Sequence, residues 1–167
     1  ETISRCILYI KEVFSIDIEN GLSSEELQEF LYRPIRVCGM VKNEGDPGGG
    51  PFWLENNNFP QIVEKAQIDL KDGGQLMSGS THFNPVDISC CILDYEDNRY
   101  NLIEFVDEDM GFITKKSFNG EEIKAMELPG LWNGAMANWL TMFVEVPVST
   151  FNPVKTVNDL LKPAHQI

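Results

Sequence analysis

The sequence predicts an α+β domain, a mixed and largely antiparallel sheet with helices at the chain ends and one Trp-containing helix. Three observations predict it. Short apolar or alternating runs that suit strands fill the middle of the chain and outnumber helical patterns. The helical patterns gather near the two termini. The 167 residues, 43% apolar and 23% charged, have the make-up of one ordinary globular domain over 1–167.

Each element follows from its own pattern. Ile3, Ile7, Ile10 and Phe14 recur at helical steps and predict an amphipathic helix over 3–14. Ser23 and Glu26 have the spacing of a capping box, and Leu27, Phe30 and Leu31 supply the stripe of a second helix, which Pro34 limits. Residues 35–41 read as a largely buried strand, and residues 47–60, rich in Gly, Pro and Asn, as a long loop or hairpin. Ile62, Ala66 and Ile68 give 61–70 an approximate strand pattern. Asp72-Gly73-Gly74 predicts a turn, and 86–95 the next strand. Short strands are expected at 112–116, 123–126 and 141–147, then a final helix over 153–161 with Pro153 in its first turn. Trp132 and Trp139, seven apart, would share one helix face.

Thirteen Lys and Arg against 26 Asp and Glu give a formal net charge of −13. That field repels phosphodiester backbones and anionic lipid surfaces, so neither nucleic acid nor membrane is an expected partner. A small anionic ligand remains compatible, because backbone N–H groups or a few lysines can reverse the potential inside one cleft. No run approaches eighteen apolar residues, and the start, Glu1-Thr2-Ile3-Ser4-Arg5, has neither a basic leader nor an initiating Met. A soluble piece of a longer chain is expected. Cys6, Cys38, Cys90 and Cys91 lack metal spacing and read as buried free thiols, which favours a reducing, cytoplasmic compartment. The seven acids between Asp94 and Asp109 read as a solvated turn, since they lack the order of a calcium loop.

Three segments carry candidate chemistry. In Val41-Lys42-Asn43-Glu44-Gly45-Asp46-Pro47-Gly48-Gly49-Gly50-Pro51-Phe52-Trp53, the glycines Gly48, Gly49 and Gly50 would let backbone amides approach an anion, with Lys42 as a point charge and Asn43 beside it. A flexible hairpin tip, with Pro51 and Trp53 packed down, is the competing reading. His82-Phe83-Asn84-Pro85-Val86-Asp87 places an imidazole, a carboxamide and a carboxylate in one stretch, and histidine is the residue type suited to act on either side of a proton transfer. Phe-Asn-Pro-Val recurs at 151–154, followed by Lys155, which suggests that Asn84 and Asn152 do similar structural jobs. Around Trp132 and Trp139, Asn133 is a candidate polar contact to a ligand, against a background of ordinary core packing. No serine elbow, zinc-protease pair or Cys/His nucleophile arrangement is present.

On these segments, together with Leu131-Trp132-Asn133-Gly134-Ala135-Met136-Ala137 and 151–161, the sequence resembles the C-terminal part of an uncharacterised bacterial domain-of-unknown-function family. Members of that family are much longer, and their fold is grouped with nucleotide-diphospho-sugar transferases. The resemblance implies the C-terminal part of a larger α/β fold, with the N-terminal remainder of the parent chain as a partner. It implies an anionic ligand such as a nucleotide sugar, in a nucleotidyltransferase-like or glycosyltransferase-like enzyme. The family has no established activity and so no catalytic residues to carry over; by their own chemistry Lys42, Asn43, the three glycines, Asn84, Asn133 and Lys155 would bind substrate. His82 and Asp87 would be catalytic, and Asp87 would be the carboxylate for Mg²⁺. Lys115 and Lys116 are less specific alternatives. A noncatalytic accessory or protein-interaction module is the competing expectation, motivated by the acidic balance and the Trp pair.

Overall fold

The computed structural model describes residues 2–18, 21–44, 48–54, 57–154 and 156–166, with the main chain alone at 57, 58, 70 and 72. Two helices open the chain, α1 (Thr2–Phe14) and α2 (Ser24–Leu31). The capping box forms as its spacing predicts: Ser23 Oγ accepts the Glu26 N–H at 3.1 Å, and the Glu26 carboxylate accepts the Ser23 N–H at 2.8 Å.

Strand β1 (Ile35–Lys42) is central to a three-stranded mixed sheet. It pairs antiparallel with β4 (His82–Cys91) and parallel with β7 (Leu140–Glu145). Two antiparallel hairpins stand apart from that sheet, β2 (Gly50–Leu54) with β3 (Asn57–Val63), and β5 (Phe112–Phe118) with β6 (Glu121–Glu127). The chain is therefore α+β with mixed and antiparallel sheets, as its pattern predicts.

Alternation along β1 decides what each face of the sheet meets. Ile35 beside Leu140 and the neighbouring Met142 join the helix side, where Ile10, Phe14, Ile16, Leu27 and Phe59 form the larger core. Cys38, Met40 and Phe143 face the other way and pack with Ile62 of β3 and with Ile88. Helices thus cover one face and the β2–β3 hairpin the other. The two Phe-Asn-Pro-Val copies meet, with the Phe83 and Phe151 rings 5.1 Å apart.

Four expectations need correction. Asp72-Gly73-Gly74 lies inside a helix, α3 (Leu70–Ser78), whose N-cap Asp69 accepts the Lys71 N–H at 2.9 Å; a good cap outweighs the low helix propensity of two glycines. The Trp segment forms a series of turns in place of a helix. There Gly134 holds φ +74°, which side chains on L residues avoid, and Gly130 and Asn133 bond back to each other. Trp139 is buried ahead of β7, while Trp132 stays at the surface. The C-terminal helix is a 3-10 turn over Val157–Leu161. Finally, Cys90 and Cys91 are exposed, because they end β4 on the sheet's edge, whereas Cys38 is buried.

The acidic stretch opens with a tight turn over 94–98 and continues into 3-10 turns at Leu102–Phe105 and Glu108–Met110. Asp94 accepts the N–H groups of Glu96 and Asn98 at 2.8 and 2.9 Å and the Tyr32 hydroxyl at 3.2 Å. No described helix is long and apolar enough to cross a membrane. Removing the cap of α2 with Ser23→Ala is expected to lower stability by about 1 kcal/mol, read as a shift in the urea midpoint at unchanged slope.

Candidate functional site

The carboxyl ends of β1 and β7 run side by side, and β4 begins opposite the end of β1. Lys42 ends β1 and pairs with His82, which starts β4; Glu145 ends β7 beside Met40. Lys42 and Glu145 both project to the hairpin side of the sheet by the strand alternation. Lys42 Nζ lies 3.5 Å from Glu145 Oε1, and His82 Nε2 lies 3.2 Å from Glu145 Oε2. His82 Nδ1 is 2.9 Å from Thr81 Oγ1. In the neutral ring the Nε2–H then donates to Glu145 while Nδ1 accepts the Thr81 hydroxyl.

Two of the three side chains, His82 and Glu145, line a cleft of about 260 Å³ together with Met40, Pro51 and Phe143, and Lys42 meets it through Glu145. Met40, Pro51 and Phe143 give it apolar walls, and the polar groups sit at one end. The His82 hydrogen bond, aided by the Lys42 charge, holds the Glu145 carboxyl below the usual carboxylate range. Solvent screens this exposed pair, so its effect on stability is small. Its sign is defined: a lowered folded pKa stabilises at neutral pH, and that contribution disappears as pH falls through the folded value.

The remaining sequence candidates distribute around this cleft or away from it. Asn43 donates its N–H to Thr81 O at 3.0 Å, beside His82. The glycine tract is neither an open tip nor a left-handed nest, since the described glycines with positive φ are Gly21, Gly120 and Gly134. Gly50 opens β2 and pairs with Val63. A Cβ on Gly49 would overlap the Val63 carbonyl oxygen, and one on Gly48 the Phe83 ring. A Cβ on Gly50 would come within 2.8 Å of His82 O. Glycine lets the main chain close on the Val63 carbonyl of β3 and the His82 carbonyl of β4 and leaves room for the Phe83 ring, which sets Pro51 as one wall of the cleft.

Asn84 donates to Glu64 Oε1 at 3.4 Å, and burial pushes the Glu64 carboxyl up. Asp87 pairs across the sheet with Gly39, an odd position of β1, and its carboxylate covers that glycine. It therefore faces away from Lys42 and His82. Asn133 is buried in the turn region, where its Nδ2 donates to Met110 O at 3.0 Å and its Oδ1 accepts the Gly130 N–H at 3.3 Å. Asn152 donates to Ser149 O. Lys115 bonds Glu122 at 2.8 Å on the β5–β6 hairpin, where Lys116 pairs with Glu127. Lys155 lies outside the described residues.

A comparison with known protein families matches residues 4–166 to the family described as Domain of unknown function (DUF4301). The chain belongs to the DUF4301 family. No curated protein matches it. In this DUF4301 chain the match takes in every strand named above, and hence all three groups at the cleft.

Sequence reasoning missed Glu145, which lies 63 residues from His82. Its only local signal is a carboxylate closing an otherwise apolar strand just before Pro147. Two outcomes test the geometry. His82→Ala should bring the Glu145 carboxyl back toward its ordinary titration range, followed by side-chain carbon chemical shifts across an acid titration. Gly49→Ala should destabilise the DUF4301 fold by about 1–3 kcal/mol, as overpacking at a closed contact does, read by equilibrium unfolding.

Proposed function

We propose that this chain binds a nucleotide sugar or sugar phosphate in the Lys42–His82–Glu145 cleft, as part of a nucleotidyltransferase-like enzyme. One observation carries the reading: a cation, an imidazole and a carboxylate converge at the carboxyl ends of a parallel strand pair, where α/β and mixed sheets build ligand sites. The Lys42–Glu145 contact is long and both partners are solvated, so an incoming phosphate can take Lys42 at little cost. The freed Glu145 carboxylate then accepts sugar hydroxyls. His82 Nε2 is positioned to give or receive a proton at the transferred group, and Met40, Pro51 and Phe143 cover the less polar face of the sugar ring.

A Mg²⁺ ion, expected with Asp87 as its carboxylate, does not fit the described donors. Asp87 faces away from His82, Glu145 is engaged by Lys42 and His82, and no group of three His, Cys, Asp or Glu side chains among the described residues is placed to hold a metal. No step is assigned to it.

The alternative is a noncatalytic interaction module, which a second, apolar groove favours. That groove, about 480 Å³ between α1, α2 and the 93–100 turn, is walled by Ile3, Leu27, Leu31, Ile35, Tyr95 and Tyr100, away from the cleft. Calorimetric titration with nucleotide sugars and sugar phosphates, with and without Mg²⁺, separates the two. Saturable binding is expected, and Lys42→Ala should weaken it by about tenfold or more, the worth of one charge-assisted contact. Absence of saturable binding across the panel would favour the module.

A further inference from the structure

The 92–100 segment closes through its own main chain, with the Tyr100 N–H donating to Ile92 O at 3.1 Å and the Asp94 N–H to Asn98 O at 2.9 Å. The closure brings Asp94, Tyr95 and Tyr100 onto the groove between α1 and α2, where Tyr32, the residue that ends α2, joins them. The Tyr32 and Tyr100 rings meet at 68° with centroids 5.0 Å apart, and the Phe105 ring backs Tyr100 from 5.7 Å. They make a fixed aromatic corner. Tyr95 adds a third ring that is 77% exposed, while Ile3, Leu27, Leu31 and Ile35 supply apolar wall to the same groove of about 480 Å³.

Two ionised residues line the groove, Arg33 and Asp94. The Arg33 guanidinium is committed elsewhere: it stacks over the Phe30 and Phe59 rings and donates to Phe30 O and Asn138 O, none of which lines the groove. Asp94 is the reverse case. Its carboxylate accepts only from neutral donors, the Tyr32 hydroxyl and the N–H groups of Glu96 and Asn98, and forms no ion pair among the described residues. Desolvation opposes its ionisation, but these hydrogen bonds together hold the carboxyl below the usual carboxylate range. The neighbouring phenols feel the resulting charge. Tyr32 is pushed up, first by its hydrogen bond to Asp94, and Tyr100 is pushed up by burial first and then by Tyr32 and Asp94. Negative charge is disfavoured at this corner and positive charge favoured, in a chain whose formal net charge of −13 already draws cations in.

We infer that this groove is a second ligand site, taking a small organic ammonium ion whose cationic head sits among Tyr32, Tyr95, Tyr100 and the Asp94 carboxylate and whose apolar chain lies against Ile3, Leu27, Leu31 and Ile35. Aromatic faces attract a cation through the ring quadrupole, and they do so best for an alkylated ammonium, which gives up little hydration on entering an apolar groove. Asp94 supplies the counter-charge. An anion of the same shape meets that carboxylate as a like charge, and a neutral chain gains the apolar walls alone. The site lies away from the Lys42–His82–Glu145 cleft, so its assignment stands whether or not the cleft binds a nucleotide sugar.

Calorimetry and thermal unfolding with hexyltrimethylammonium, tetramethylammonium, hexanol and heptanoate test the assignment. Hexyltrimethylammonium should bind the wild-type chain saturably and raise its Tm. Tetramethylammonium keeps the head alone and hexanol the chain alone, so each should bind about tenfold or more weakly, and heptanoate should bind no better than hexanol. Tyr95→Leu should weaken the hexyltrimethylammonium complex by about threefold, the worth of one exposed cation–π contact, whereas Tyr95→Phe should hold it within about twofold, because the ring face acts and the hydroxyl does not. Asp94→Asn, which keeps an acceptor for the turn and removes the charge, should weaken it by about threefold or more. Should Asp94→Asn not fold, the Tyr95 pair decides the matter, since that side chain is too exposed to support the core. Hexanol binding as tightly as hexyltrimethylammonium, affinity unchanged in both Tyr95→Leu and Asp94→Asn, or no saturable ammonium binding by the wild type would overturn the inference.

Discussion

Main-chain hydrogen bonding along both edges of β1 is the constraint on which the rest depends. With β4 antiparallel on one side and β7 parallel on the other, β1 has no free edge, and it is buried along most of its length. Its pleat then sorts the molecule into two sides. Odd positions such as Ile35 meet the helices, and even ones, Arg36, Cys38, Met40 and Lys42, turn to the side where Cys38 and Met40 pack on Ile62 of the β2–β3 hairpin. A slip of one residue would turn Arg36 toward the helix core and Lys42 away from Glu145. The chemistry of the hairpin side is therefore a consequence of pairing register, set before any side chain at the cleft is chosen.

What could be read in advance followed how local each signal is. The α2 cap depends on four consecutive residues, and Ser23 and Glu26 announce it plainly. β1, β5, β6 and β7 emerge from short apolar runs and lie close to their expected places. α3 was hidden because Gly73 and Gly74 suggest a turn, while the Asp69 cap and the helix stripe depend on surroundings. β4 begins at His82, ahead of its expected start, because Asn84-Pro85 reads as a turn; an edge strand tolerates Pro85, and the pairing irregularity at Met40 absorbs it.

The site followed the same rule. Lys42 and His82 were singled out for their own chemistry, and the sheet brings them together. Glu145 became visible only through the pairing of β7 on β1, a non-local event that no spacing encodes.

The glycine tract has one more implication. Because Gly49 meets the Val63 carbonyl of β3 and Gly50 the His82 carbonyl of β4 through bare main chain, that wall already stands as near to its neighbours as peptide groups can come. The cleft's aperture beside Pro51 is then a property of the scaffold, while its polarity belongs to the replaceable residues His82 and Glu145. Exchanging those residues would retune which functional groups are preferred and leave the admissible thickness of a guest molecule nearly constant.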